Sequence, residues 1–281
     1  MRAAVLGSPV AHSLSPVLHT AAYRALGLDG WSYDRHECDE AALPGFVAGL
    51  DAGWAGLSLT MPLKRVALEV ADEVSPAAAA IGAANTLVPA GGRWFAENTD
   101  VLGIVAALSK VDGSKVDGSE VGGRAVVLGA GGTAQAALAA LRDLGVDDVT
   151  VLVRDLGRTG ELRATADRLG VSPVLDDALA DPARAAAALE KADIVVSTLP
   201  GRAADTLVGA GSGTVVLDVV YAPWPTPFAA AAQARGARVV SGLEMLLHQA
   251  VAQVELMTGR PGPVAEMHAA LDAAVSARLS G

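Results

Sequence analysis

Apolar residues recur along this chain in two rhythms. Short runs bounded by turn residues read as buried strands, and longer stretches with a 3.6-residue period read as helices. Residues 2–6 predict a first strand. Ser15-Pro16 then reads as a helix start, with serine as the cap and proline at the first helical position. Val17, Leu18, Ala21, Ala22, Ala25 and Leu26 form its buried stripe before Gly27. Residues 31–37 predict a second strand and 39–50 a helix with Leu43, Phe46, Val47 and Leu50 inward. A third strand over 54–60 follows the turn at Asp51-Ala52-Gly53. Pro62 stops it and suits the first turn of a helix over 64–71. After an Ala-rich run comes Ile81-Gly82-Ala83-Ala84-Asn85-Thr86-Leu87-Val88, with Trp94 to Glu97 as hairpin partner; Asn98-Thr99-Asp100 opens a further helix.

Residues 109–123 repeat a five-residue unit, Ser-Lys-Val-Asp-Gly twice and then Ser-Glu-Val-Gly-Gly, with one valine per unit. They read as an exposed connecting loop between two domains. The pattern then changes to strand 124–128, an Ala-rich helix reaching Leu144, and strand 149–153. Strands over 194–198, 215–219 and 238–240 complete a doubly wound sheet, and helices over 243–258 and 264–279 end the chain. Gln249 lies two turns into the first of these, placed to reach back toward the first domain.

Composition narrows the class. The chain has 281 residues, 52% hydrophobic but only 4% aromatic, so its core is built from Ala, Val and Leu. The net charge of −10 argues against a nucleic-acid-binding face. Cys38 is the single cysteine, which rules out an intrachain disulfide, and the five histidines show no metal-ligand spacing. The apolar run at the amino terminus is too short for a signal peptide. Residues 125–141 are strongly apolar, but Gly129, Gly131, Gly132 and Gln135 mark them as soluble core rather than a membrane span. A cytoplasmic protein with a small-molecule substrate is expected; the sequence is compatible with a homodimer without setting the oligomeric state.

Five stretches carry candidate chemistry. In Thr60-Met61-Pro62-Leu63-Lys64, the proline bend is expected to lift Lys64 above the carboxyl end of the third strand, the edge where α/β proteins bind ligands. There it is either a solvated lysine or a proton donor whose pKa partial desolvation brings toward neutrality. Ser13 and Ser15 stand at the positive end of a helix, either capping a loop or offering hydroxyls to a carboxylate. Asp100 reads either as a helix cap or as a working carboxylate. Gly129-Ala130-Gly131-Gly132-Thr133-Ala134 fits G-x-G-x-x-[G/A] between a strand and a helix, which predicts dinucleotide binding. At the end of the next strand Arg154 and Arg158 favour a 2′-phosphate, whereas Asp155 favours a free ribose. NADP is therefore preferred, with NAD open.

Taken together, the motifs resemble those of the shikimate dehydrogenases along nearly the whole chain. His12-Ser13-Leu14-Ser15-Pro16, Leu59-Thr60-Met61-Pro62-Leu63-Lys64, Gly82-Ala83-Ala84-Asn85-Thr86, Asn98-Thr99-Asp100, the glycine loop, Asp218-Val219-Val220-Tyr221-Ala222-Pro223 and Gly242-Leu243-Glu244-Met245-Leu246-Leu247-His248-Gln249-Ala250 occur in that family's order. The resemblance implies an α/β substrate domain (1–108 and 243–281) and a Rossmann-type dinucleotide domain (124–242), with the C-terminal helices returning to the first. It implies that Lys64 and Asp100 form the catalytic pair, and that Ser13, Ser15, Thr60, Asn85, Tyr221 and Gln249 join them in holding the substrate. Gly129 to Ala134, Arg154, Arg158, Thr198, Val219, Gly242 and Met245 would border the cofactor. The family's Asn-Arg-Thr phosphate motif is altered here to Val153-Arg154-Asp155. Ser58 stands where many members have Asn, a change expected to be without consequence.

The expected activity is reversible NADPH-dependent reduction of 3-dehydroshikimate to shikimate, a step toward the aromatic amino acids by way of chorismate. An NAD-dependent quinate/shikimate dehydrogenase is the nearest alternative. A non-catalytic sensor that binds shikimate or nucleotide is the other; Lys64 and Asp100 argue against it, because binding alone has less need of a proton donor.

Overall fold

The computed structural model describes residues 1–111 and 123–280. In chain order the elements are β1 (Arg2–Gly7), α1 (Ser15–Ala25), β2 (Ser32–Glu37), α2 (Leu43–Ala48), β3 (Trp54–Leu59), α3 (Val66–Val70), β4 (Glu73–Val74), α4 (Pro76–Ile81), β5 (Thr86–Ala90), β6 (Arg93–Glu97) and α5 (Asp100–Val111). There follow β7 (Arg124–Leu128), α6 (Gly132–Asp143), β8 (Asp148–Leu152), α7 (Gly160–Leu169), β9 (Val174–Asp176), α8 (Pro182–Leu189), β10 (Ile194–Ser197), β11 (Val215–Asp218), α9 (Pro227–Ala234), β12 (Arg238–Ser241), α10 (Gly242–Thr258) and α11 (Val264–Ser280). They form two compact units, Met1–Asp100 with Leu246–Gly281, and Val101–Met245. Both divisions fall inside a helix, α5 and α10, rather than in a connecting loop.

The first unit holds a mixed sheet in the order β2-β1-β3-β5-β6-β4. Strand β1 runs parallel to β2 and β3, while β5 is antiparallel to β3 and β6. Both faces of β1 are covered, as its uninterrupted apolar run requires. Ala4 and Leu6 pack with Leu57, Leu59, Leu63 and Leu87 on one side. Ala3 and Val5 pack with Tyr23, Tyr33, Val88 and Met257 on the other. The terminal helix α11 lies against α1.

The second unit is an all-parallel six-stranded sheet, β9-β8-β7-β10-β11-β12. Its strand order reverses between β7 and β10, the position where doubly wound sheets bind nucleotides. Every residue of α6 from Ala134 to Leu141 is buried. This accounts for the apolar stretch in the sequence: small alanine side chains let the helix approach the sheet closely on several sides. No helix among the described residues is long and apolar enough to cross a membrane.

Several boundaries differ from the sequence expectation. Helix α2 is shorter than 39–50, because the Asp39 carboxylate accepts from the Ala42 N–H and holds the preceding residues in a turn. Helix α3 begins at Val66 rather than Lys64. The Leu63 N–H bonds to the Thr60 carbonyl at 2.9 Å, closing a tight turn before helical pairing starts. The Met61–Pro62 peptide within that turn is cis. Helix α5 runs on through Ser109 and Lys110 to Val111, residues expected in the connecting loop, with Lys110 paired to Glu244 at 2.9 Å. The rest of the repeat, 112–122, lies outside the described residues. The short strands β4 and β9 carry too little periodicity to be read from sequence.

Candidate active site

The turn that follows β3 carries Lys64, and the hairpin β5–β6 leads into Asn98-Thr99-Asp100 at the start of α5. These two routes bring the Lys64 ammonium to 2.5 Å from Asp100 Oδ2. The Asp100 side chain is fully enclosed and that of Lys64 is 16% exposed. A buried carboxylate is costly unless every oxygen has a donor. Here Asp100 Oδ1 accepts from Asn85 Nδ2 at 3.0 Å and Oδ2 from Lys64. Capping, the commoner use of such an aspartate, falls instead to Asn98, whose Oδ1 accepts the Asp100 N–H while its amide donates to the Ala83 carbonyl. The Lys64 main chain is fixed as well, because its carbonyl accepts from Ala84 N–H at 2.7 Å.

Asn85, only 1% exposed, is the hub. Its Oδ1 accepts from the Thr99 N–H and the Thr86 hydroxyl, both at 2.9 Å, and its Nδ2 also donates to Gln249 Oε1 at 3.0 Å. The structure thus joins Lys64, Asn85, Asp100 and Gln249 in one cluster. Thr60 follows directly on β3, its N–H bonded to the Leu6 carbonyl.

Ser13 and Ser15 meet, but not as the sequence suggested. Helix α1 starts at Ser15, so Ser15 is its first residue and not its cap, with Leu14 at the cap position. It is the Ser13 Oγ that accepts the Ser15 N–H, and the two hydroxyls lie 3.2 Å apart. Arg35 Nε and Nη2 grip the Ser13 carbonyl at 3.0 and 2.6 Å. The buried stripe of this helix also includes His19 and Tyr23, while Ala25 is exposed.

Sequence reading passed over a second layer. Gln253 is buried one turn beyond Gln249. Its Oε1 accepts from the Ser58 hydroxyl at 2.8 Å, and Ser58 in turn accepts from the Tyr33 hydroxyl at 2.6 Å. Ser58 thus links Tyr33 to Gln253. His19 stacks on Tyr33 at a centroid distance of 4.0 Å, with Nε2 3.3 Å from Gln253 Oε1. Burial pushes the imidazole pKa down to about 3, so the ring is neutral. The signal for this layer was polar residues set on otherwise apolar faces, Gln249 and Gln253 four apart and His19 within the stripe of α1.

In the second unit the glycine loop lies at the carboxyl end of β7. Gly129 has φ +104°, open only to glycine, and a methyl group there would stand 2.8 Å from Thr198 Oγ1. Thr198 closes the same corner by donating to the Leu128 carbonyl at 2.7 Å. Gly131 takes the cap position of α6, Gly132 and Thr133 open the helix, and Ala134 is fully buried. The loop with Ala130 thus presents backbone N–H groups at a helix start, the arrangement that receives a pyrophosphate. After β8, Asp155 Oδ1 accepts from the Gly157 N–H and caps the 3₁₀ turn Leu156–Arg158. Arg154 and Arg158 are exposed, and their guanidiniums have no hydrogen-bond or ion-pair partner among the described residues. Gly242 lies against Val219, where a methyl group would stand 2.2 Å from the Val219 carbonyl oxygen. Met245 is buried three residues further on, and Tyr221, half-buried, follows β11 in this same unit.

An α/β unit with an enclosed lysine–carboxylate pair, joined in one chain to a doubly wound unit with a glycine loop at its switch point, defines a nicotinamide-nucleotide-dependent oxidoreductase. Comparison with known proteins makes this specific. Residues 5–87 match the family model of the shikimate dehydrogenase substrate binding domain, and residues 242–271 that of the shikimate 5′-dehydrogenase C-terminal domain. The shikimate dehydrogenase (NADP(+)) of Methylobacterium radiotolerans is 39% identical over 269 residues, covering 95% of this chain and 94% of the relative. The crystal structure of Mycobacterium tuberculosis shikimate dehydrogenase superposes with a TM-score of 0.83 at 47% identity, covering 97% of this chain and 98% of that one. The shikimate 5-dehydrogenase of Thermus thermophilus, solved in complex with NADP(H) and shikimate, gives 0.79 at 35% identity, covering 98% and 99%. The chain belongs to the shikimate dehydrogenase family.

Proposed function

We propose that this chain catalyses the reversible reduction of 3-dehydroshikimate to shikimate with NADPH. The observation that carries the reading is the Lys64–Asp100 pair, closed on its buried side by Asn85. Reduced nicotinamide, when bound, supplies hydride to the ketone carbon. Lys64 Nζ gives a proton to the oxygen that gains negative charge, and Asp100 holds the ammonium in line while that proton leaves. Gln249, with Oε1 turned to Asn85, keeps its amide N–H groups for a substrate hydroxyl. Ser13 and Ser15 offer hydroxyls at the start of α1 to the substrate carboxylate, and Thr60 and Tyr221 complete the substrate contacts.

The residues present fit NADP. Asp155 accepts the Gly157 N–H through Oδ1 and caps its own turn, and the exposed guanidiniums of Arg154 and Arg158 on either side are suited to grip a 2′-phosphate. Thr198, Val219, Gly242 and Met245 line the nicotinamide end. The first unit takes the acid and the second the dinucleotide. The acidic net charge supports a cytoplasmic enzyme that binds no nucleic acid, whether monomeric or homodimeric.

The test follows reduced-nicotinamide absorbance with NADP or NAD and with shikimate or quinate. Shikimate-dependent reduction of NADP should exceed all other pairs. Faster turnover of quinate with NAD would favour a quinate/shikimate dehydrogenase, and no turnover with any pair would favour a binding protein.

A further inference from the structure

Which end of the Asn85 amide faces Asp100 decides whether that carboxylate gains a donor or meets a second acceptor. The Thr99 N–H, which can only donate, places Oδ1 on its own side at 2.9 Å, and a hydrogen-bond chain through Gln253 and Thr86 supports the same orientation. The Asn85 backbone carbonyl can only accept, so the group 3.3 Å from it must be Gln253 Nε2. Gln253 Oε1 then faces Ser58 and His19. Gln253 Nε2 also donates to Thr86 Oγ1 at 3.1 Å. Thr86, having accepted there, spends its single proton on Asn85 Oδ1 at 2.9 Å. With Oδ1 held by Thr86 and the Thr99 N–H, Nδ2 is turned to Asp100 Oδ1, Gln249 Oε1 and Thr99 Oγ1, each at 3.0 Å. Asp100 Oδ2 is left for Lys64.

We infer that Gln253 and Thr86 are positioning residues for the proton donor: acting through Asn85, they hold Asp100, and so Lys64, in the geometry the reaction uses. The inference rests on the functional reading above. Neither side chain is hydrogen-bonded to Lys64 or Asp100. Both are buried, Thr86 completely. A purely structural role would dock α10 on the sheet without regard to the orientation of the Asn85 amide. Thr86→Val separates the two roles, because it keeps the shape and removes the hydroxyl, whereas Thr86→Ser keeps the hydroxyl and trims a methyl group.

The experiment measures shikimate-dependent NADP reduction by the full chain, with melting temperature and the KM of each substrate for every variant. Thr86→Val should lower kcat/KM for shikimate about tenfold to a hundredfold, with KM for NADP unchanged. Thr86→Ser should recover most of that loss at a similar melting temperature. Gln253→Met should show the same selective loss, since the Asn85 carbonyl keeps its bond from the Leu59 N–H. The double variant should lose little more than either single one.

Wild-type kinetics in Thr86→Val would overturn the inference, as would equal losses in Thr86→Val and Thr86→Ser, or a parallel rise in both KM values. Should Thr86→Val fail to fold, Gln253→Met decides on the same criteria. An inactive wild-type chain would instead remove the functional reading itself, an outcome distinct from active wild type with indifferent variants.

Discussion

Gln249 and Gln253, one turn apart on α10, both end on Asn85: the first accepts from its side-chain Nδ2 at 3.0 Å, the second donates to its backbone carbonyl at 3.3 Å. A residue 164 positions earlier in the chain is thereby held by two rungs of a single helix. Asn85 is thus tied to a helix whose first four residues, Gly242 to Met245, belong to the second unit and whose remainder belongs to the first.

Replacing the proton donor should separate chemistry from cofactor binding. Lys64→Ala is expected to lower kcat by about 10² to 10⁴, the usual worth of a general acid, with NADP affinity nearly unchanged. Steady-state kinetics with a fluorescence titration of NADPH measures both. Unaltered turnover would remove Lys64 from the mechanism.

Cofactor choice should follow the two exposed guanidiniums. Arg154→Ala and Arg158→Ala are each expected to raise KM for NADP by roughly 10- to 100-fold, the equivalent of about 1.5–3 kcal/mol for a hydrogen bond to a charged group, and to leave KM for NAD almost unmoved. An equal rise for both cofactors would show that these residues shape the loop rather than bind phosphate.

Acid should destabilise the protein through His19. The folded-state pKa is about 3 and the unfolded value 6.5, so between these limits the unfolded chain binds a proton that the folded chain refuses. Stability therefore falls as pH drops through that window, with a slope of about 1.4 kcal/mol per pH unit from this group. Denaturant midpoints from pH 7 to pH 4 for wild type and His19→Gln should show a shallower slope in the variant. Parallel curves would mean that other groups account for acid sensitivity.

Close approach should make Gly242 irreplaceable by any residue with a side chain. A methyl group 2.2 Å from the Val219 carbonyl oxygen forces backbone movement, an overpacking cost of about 1–3 kcal/mol. Thermal melting of Gly242→Ala should show a drop of several degrees. An unchanged midpoint would mean that the α10 start shifts freely.

The glycine loop was legible in the sequence because its constraints are local: a strand, a turn that only glycine can make, and a helix start within a few residues. The capping role of Asp155 was not, since an aspartate beside two arginines suggests a ribose partner and only its bond to Gly157 shows the turn it holds. Ser15 was misassigned for a related reason. Serine before proline suits a cap, but Ser13 sits close enough to take that N–H first.

What the sequence determined by itself was the periodic alternation that sets the strands and helices, the order of its motifs, and the residue types able to bind a dinucleotide and move a proton. Tertiary structure alone decided which of two oxygens on Asp100 meets Lys64, that Ser58 and Gln253 are bonded to each other, and that His19 stays neutral. Those outcomes depend on partners from β2, β3, β5, α5 and α10 meeting in one buried space. There each polar group must find a donor or acceptor far away in the chain, and no local pattern encodes that pairing.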